Sequence, residues 1–462
     1  MGRYYLPFFF FLANKLKISW RIDMPTPADK RMSVPTQEWD LRLLMGEDKE
    51  QLDYSAELMS VQIISNVASP YQVFMLVVRI DPIDTIFNEL YGKTKVTLEI
   101  RKKSYEAIGT FTDELKFDLV QLNDKSALTQ KGLLNRETNY TPVDVKMVMV
   151  PREPLKSMTD LVNAVYINAS PRGVIESLAN KYHLKIAYDK SDENTEKIPQ
   201  VIIPPMTMYK AIKFVDDNFG LYKGVSNQGF CRYDNVLEIV NLSKRVKSGQ
   251  MITIEHLTAN SEVAEDYIHD SVHDATKFFC RYPLHTSYTG NTTLANIGNI
   301  TEYNIKPLDS LYLNTSVDFT SLCKEYGLFA KGNKVGDPVI YHDDILSDRR
   351  AYRTDFVGGH GTESDVFLKS KLARSLVNMT AVDAVLDRNP RIVNLLKVGG
   401  AVQLLTQSTE YVDVAGMFIL KTSVISFMRE NVDWQYAATM RENVDWQCAA
   451  TVHLSRTNKL MN

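Results

Sequence analysis

The sequence predicts an α+β protein that is mainly β, and three observations carry that prediction. Apolar residues recur with a two-residue period between about residue 55 and Pro151, two amphipathic helical faces follow between Pro154 and Gly220, and strand patterning returns from Val402 onward. The chain has 462 residues, enough for roughly two to four domains at about 100–200 residues each.

The strands come first. Leu58, Val61 and Ile63 give a broken alternation, and Val73 to Ile80 is a continuous apolar stretch. Val96, Leu98 and Ile100 alternate with Thr97 and Glu99, the pattern of a half-buried strand. Leu115, Phe117 and Leu119 repeat the period, as do Val143, Val145, Met147 and Met149 before Pro151 stops the run. Several such strands with little helical signal predict an antiparallel barrel or sandwich over residues 45–150.

After Pro151 the pattern changes. Ser170-Pro171 reads as an N-cap followed by proline in the first turn, with Val174, Ile175, Leu178, Ala179 and Tyr182 on one helical face. A strand is predicted at 184–188 and an exposed loop at 189–197. Pro204-Pro205 leads into a second helix with Met208, Ile212, Val215 and Phe219 on one side, closed by Gly220. Leu221-Tyr222 and Val236 to Val240 read as strands joined by a turn near Asn227-Gln228-Gly229, which makes residues 151–245 an α/β module. From 246 to about 345 the sequence is rich in Asn, Thr and Tyr, and Thr286 to Asn299 reads as loop or irregular strand. Gly358-Gly359-His360-Gly361 breaks the chain, and Ser364 opens a helix near 364–379 with Leu368, Leu372, Ala373 and Leu376 along one face.

One repeat stands out. Residues 428–439 are followed directly by 440–451, identical except that Cys448 replaces Tyr436. Two copies of so short a unit do not make a solenoid. An even-length insertion keeps a strand's alternation, whereas it would turn a helix face by about 120°. The repeat is read as a local tandem duplication, or an artefact of cloning or sequencing, that extends a strand or adds a hairpin.

Composition narrows the function classes. Lys and Arg number 53 against 56 Asp and Glu, a formal charge of −3, which argues against bulk nucleic-acid binding. The 44% hydrophobic and 24% charged fractions exclude a disordered or low-complexity chain. Cys231, Cys280, Cys323 and Cys448 form no CxxC pair, so a disulfide-stapled domain or zinc ribbon is not expected and a reducing compartment is. Residues 4–13 form an apolar run behind Arg3, but Pro7 interrupts it and it is too short to span a bilayer. It is read as an N-terminal extension or strand, and no stable membrane anchor is expected.

Chemistry-bearing patterns are sparse. His269 and His273 stand four apart, a spacing that lets two histidines share a helix face on zinc, but Asp270 takes the place where a zinc protease carries glutamate. His342-Asp343-Asp344 offers ligand types without a partner set. Cys280 with His285, and Cys323 with His342, are weak nucleophile pairs. Asp216-Asp217 is read as the solvated back of a helix. Gly399-Gly400 leads into a strand, so it supplies no phosphate-binding helix N-terminus. No catalytic, cofactor-binding or metal residue is therefore assigned, no cofactor is expected, and the protein is read as not an enzyme.

The order of these modules resembles the baseplate hub (tail hub) family of contractile-tailed bacteriophages, related to the hub part of type VI secretion spike proteins. Three stretches carry the resemblance: Val61 to Ile80 with Lys95 to Arg101; Ser170 to Ile175 with Ile203 to Ile212 and Phe219 to Tyr222; and Lys397 to Leu404, Gly416 to Lys421 and Trp434-Gln435. The resemblance implies two tube-like antiparallel β-barrel domains with α/β insertions. The division is a 1–44 extension, a first barrel at 45–150, the α/β module at 151–245, an irregular connecting region at 246–394, and the returning strands of the second barrel at 395–462.

It further implies a homotrimer acting as a symmetry adaptor between a hexameric tail tube and a trimeric central spike. Its other partners are baseplate proteins, and its lumen passes DNA without specific binding. The location implied is the virion tail baseplate, after assembly in the host cytoplasm. The 23 Tyr and 19 Phe supply material for core and subunit contacts. The aromatic N-terminal run and the 428–451 duplication depart from the family pattern. The rival reading is a metal-dependent, cell-wall-degrading hydrolase with His269, His273 and an acidic residue as ligands. A third is a tube or spike component, which the α/β insertion disfavours.

Overall fold

The computed structural model describes residues 39–47, 51–80, 95–102, 114–122, 143–153, 155–188, 193–223, 228–233, 236–242, 251–257, 276–288, 302–307, 313–315, 352–357, 380–386, 392–407, 411, 414–429 and 446–456. All belong to one unit spanning Gln37–Asn462.

The first seven strands are β1 (Trp39–Met45), β2 (Leu52–Asp53), β3 (Leu58–Asn66), β4 (Val73–Ile80), β5 (Val96–Lys102), β6 (Glu114–Gln121) and β7 (Val143–Pro151). They run antiparallel in the order β2-β1-β5-β6-β7-β4-β3. Strand β1 starts inside the segment expected to be an N-terminal extension. Its sequence alternates in the required way, with Trp39, Leu41, Leu43 and Met45 buried. The broken alternation near Leu58 has its cause in a register shift between Leu58 and Ser60 against β4.

The expectation that β5 is half-buried is corrected. Val96, Leu98 and Ile100 face the core as expected, yet Thr97 and Glu99 on the opposite face are buried as well. Glu99 lies opposite Arg42 on β1 and Lys116 on β6. Lys116 and Arg101 pair with its carboxylate at 3.3 and 3.0 Å. Long cationic side chains thus cover a face that period-two reasoning assigns to water.

The α/β module comprises α1 (Leu155–Thr159), β8 (Leu161–Ala169), α2 (Pro171–Lys181), β9 (Lys185–Tyr188), β10 (Ile198–Thr207), α3 (Met208–Phe219), β11 (Gln228–Tyr233) and β12 (Val236–Asn241). Helix α2 begins as its sequence requires: the Ser170 hydroxyl accepts the Gly173 N–H at 3.2 Å and Pro171 occupies the first turn. Its buried face is Pro171, Val174, Ile175, Leu178 and Ala179; each large aliphatic contributes about 1.5–3 kcal/mol by leaving water. Strands β8 and β10 form a separate two-stranded sheet, whereas β9, β12 and β11 form a three-stranded one. Pro204-Pro205 falls at a register shift between Ile203 and Met206, where the ladder needs no N–H from them. Gln228-Gly229, read as a turn, instead opens β11, which pairs antiparallel with β12.

The second strand group comprises β13 (Met251–His256), β14 (Lys277–Cys280), β15 (His285–Tyr288), β16 (Glu302–Pro307), β17 (Leu313–Thr315), β18 (Tyr352–Val357), β19 (Thr380–Leu386), α4 (Ile392–Leu395), β20 (Ala401–Thr406), β21 (Gly416–Arg429) and β22 (Trp446–Arg456). Thr286–Tyr288, expected as loop or irregular strand, is part of β15, which pairs with β19. Strands β20, β21, β22 and β19 are antiparallel neighbours. β13 lies parallel to both β20 and β14, so the second group is not purely antiparallel. β14 pairs with β13 and β15 pairs with β19, so the stretch Lys277–Tyr288 reaches both ends of this group's strand order. Strands β16, β17 and β18 make a small sheet of their own. The helix expected near 364–379 and the Gly358–Gly361 cluster lie outside the described residues.

Strand β21 joins the two groups. Gly416–Ile419 pairs with β20, and Thr422–Met428 pairs with β3, with a register shift between Leu420 and Thr422 where β21 meets β22. The result is one 14-stranded sheet over a continuous core that runs from Trp39 to Leu454. A second core, under α2 and α3, belongs to the module.

Candidate functional site

Among the described residues no group of three or more His, Cys, Asp and Glu side chains is placed to hold a metal ion. His269, His273, Cys323, His342, Asp343 and Asp344 lie outside the described residues. Cys280 is fully buried, its Sγ donating to the Tyr282 carbonyl at 3.3 Å, whereas His285 is exposed opposite Asp383. The Asp216 reading is corrected. Asp216 is fully buried, its carboxylate accepting the N–H groups of Leu221 at 3.0 Å and Gln228 at 3.1 Å. It ties the end of α3 to the start of β11, a role its helical phase did not disclose.

The features with functional potential are a junction and three surfaces. At the junction, the Val67 N–H donates to the Lys421 carbonyl at 3.0 Å and its carbonyl accepts the Phe230 N–H at 2.7 Å. One residue, Val67, therefore links the first strand group, β21 and the module. Gly399 packs beside it at φ +80, with its N–H donating to the Leu420 carbonyl at 2.7 Å. A Cβ on Gly399 would lie 3.2 Å from Val240 and within 4 Å of Val67 and Cys231. Nearby, Tyr71 meets Tyr209 of α3 edge-to-face with ring centroids 6.3 Å apart. Burial, then the Tyr209 hydroxyl, pushes the Tyr71 hydroxyl up to about 12.

The first surface is the charged face over β1, β5 and β6. Its cross-strand rows bring opposite charges together: Asp40 with Arg101 in one, and Arg42, Glu99 and Lys116 in the next. The second is the non-core face of β3, β4, β21 and β22, dominated by uncharged side chains such as Ser60, Gln62, Met75, Thr422, Ser426 and Thr451. Beside it His285, Asp383 and His453 align across β15, β19 and β22, with His453 Nδ1 2.5 Å from an Asp383 carboxylate oxygen. Period-two alternation of Val452, His453 and Leu454 signalled the outward place of His453, but the cross-strand row depends on register. The third is the β8–β10 ribbon, which leaves Leu161, Val165, Ile167 and Ile202 exposed. No helix among the described residues is long and apolar enough to cross a membrane.

This continuous strand scaffold is similar in fold to that of a solved phage tail protein. The tail protein of Neisseria meningitidis MC58 superposes with a TM-score of 0.54 at 8% identity, covering 91% of this chain and 97% of that one. The 43 kDa tail protein of prophage MuSo2 from Shewanella oneidensis gives 0.46 at 8% identity over 91% and 99% of the two chains. The Escherichia coli c3393 protein, described as a type VI secretion component with structural similarity to the T4 tail proteins gp27 and gp5, gives 0.43 at 8% identity over 88% and 75%. The model of the bacteriophage PBS1 gene 109 protein family matches residues 36–279, more than half of the chain, and the chain belongs to that family. No curated protein matches the sequence.

Proposed function

We propose that this chain is a baseplate hub subunit: a homotrimer that adapts the sixfold tail tube to the threefold central spike and encloses a lumen for DNA. The observation that carries the reading is strand β21. By pairing with β20 and β22 of one strand group and with β3 of the other, it fuses two curved β-units into one sheet. Two units per chain and three chains make a ring of six, the arithmetic a symmetry adaptor requires.

The first barrel is assigned to about 45–150, extended upstream to include β1; the α/β module to 151–245; and the second barrel to strands within 246–394 together with 395–462. The face of β3, β4, β21 and β22 suits a passage for DNA, because its side chains are mostly uncharged and Arg79 on β4 is ion-paired with Asp144, which leaves little cationic adhesion to phosphate. The exposed aliphatic ribbon of β8 and β10 suits contact with neighbouring baseplate proteins. The role is structural and not enzymatic, and it is exercised in the virion after assembly in the host cytoplasm.

The test is sedimentation equilibrium of the purified full chain, alone and with its tube and spike partners. Three copies of the chain per particle, after subtraction of any bound partner's mass, are the expected result in either condition. A monomer in both conditions overturns the proposal.

A further inference from the structure

The adaptor role does not account for the tandem repeat of residues 428–451, whose ends lie on the paired strands β21 and β22. Strand β21 ends on Met428-Arg429, the first two residues of the first copy, and β22 begins at Trp446, the seventh residue of the second. Arg429 lies directly opposite Trp446, and Met428 opposite Gln447. The base of the hairpin is anchored, since the Arg429 guanidinium donates to the Ala56 carbonyl. Between the paired residues run the sixteen residues 430–445. Removing one repeat length of twelve, residues 430–441, leaves Glu442-Asn443-Val444-Asp445 between the same pair. Four residues are a common β-hairpin connection, usually built around a type I turn.

The two copies are not equivalent, because only the second meets the demands of the core. On β22 the inward side chains are Trp446, Cys448, Ala450, Val452 and Leu454, all buried. A slip of one repeat length would seat Trp434, Tyr436 and Ala438 in the first three places, then Met440 and Glu442 where Val452 and Leu454 now stand fully buried. A tyrosine at the Cys448 place overfills a closed core. A glutamate at the Leu454 place buries an unpaired charge.

We propose that the second copy is the structural one and that the duplicated twelve residues are an insertion in a four-residue hairpin connection, dispensable to the sheet. The register is set by Cys448, the small residue at the one place where the copies differ, together with Val452 and Leu454, which follow only the second copy.

Three full-length variants test this by thermal unfolding and by the oligomeric mass of the intact protein. Deletion of residues 430–441 is expected to leave the melting midpoint and the number of subunits unchanged. Cys448→Tyr is expected to lower the midpoint by several degrees, and Tyr436→Cys to leave it unmoved. The proposal is overturned if the deletion lowers the midpoint as far as Cys448→Tyr does, if the deletion changes the number of subunits, or if Tyr436→Cys is the more damaging substitution.

Discussion

Trp39, on the first strand, meets Phe427, near the end of β21, edge-to-face with ring centroids 5.3 Å apart and planes at 72°. Both rings are buried, Phe427 fully. The contact brings the start of the first strand group against the strand that leads into the second. Phe427→Ala is expected to cost about 3–5 kcal/mol of unfolding free energy, as truncation of a fully buried aromatic does. A double-mutant cycle with Trp39→Ala should show coupling of about 0.5–1.5 kcal/mol. Urea titration of the four proteins measures both; additive effects would mean that the rings do not meet.

The three-way junction predicts a penalty at Gly399. Its φ of +80 disfavours any side chain, and a Cβ there meets Val240 at 3.2 Å. Gly399→Ala is expected to destabilise by about 1–3 kcal/mol, with Gly399→Val worse. Limited proteolysis should then release the module at lower denaturant than in the parent protein. Equal resistance of parent and variant would contradict the packing described.

Asp216 predicts a larger effect than its helical position implies. Asp216→Ala strands two backbone N–H groups, those of Leu221 and Gln228, at a cost of about 2–4 kcal/mol. Asp216→Asn keeps an acceptor and should recover part of it. A solvated aspartate would show less than about 0.5 kcal/mol for either substitution.

The buried histidine on β13 predicts acid sensitivity. His256 stands against the Tyr411 ring at 4.9 Å, and burial holds its imidazole below the ordinary histidine range despite a hydrogen bond with the Tyr282 backbone. With the folded value depressed, the unfolded chain takes up a proton first as the pH falls. The contribution of His256 to stability is therefore complete above about pH 6.5 and is lost on acidification below it, levelling off beneath the folded value. His256→Gln should flatten that part of the stability profile between pH 7 and 5. An unchanged profile would assign the acid loss to other groups.

Much of this architecture was legible in local sequence, and the failures share a cause. Ser170-Pro171 announced α2, and Gly399-Gly400 announced the entry to β20, because caps and turns are written in adjacent residues. The alternation of Trp39, Leu41, Leu43 and Met45 was present as well, but it was masked by its place beside an aromatic, unassigned N-terminal stretch. Glu99 and Asp216 were misjudged because their burial is supplied from elsewhere: cationic side chains of neighbouring strands cover the first, and the loop after α3 folds onto the second. The outward faces of the sheet were not legible at all, since cross-strand rows such as His285, Asp383 and His453 depend on register between segments far apart in the chain.

The most direct test of the hub account is the rotational symmetry of the purified assembly in projection by electron cryo-microscopy. The account predicts a ring with threefold symmetry and six barrel-like densities around an open centre, two from each chain. A particle of any other order, or a threefold particle with three such densities, would contradict it.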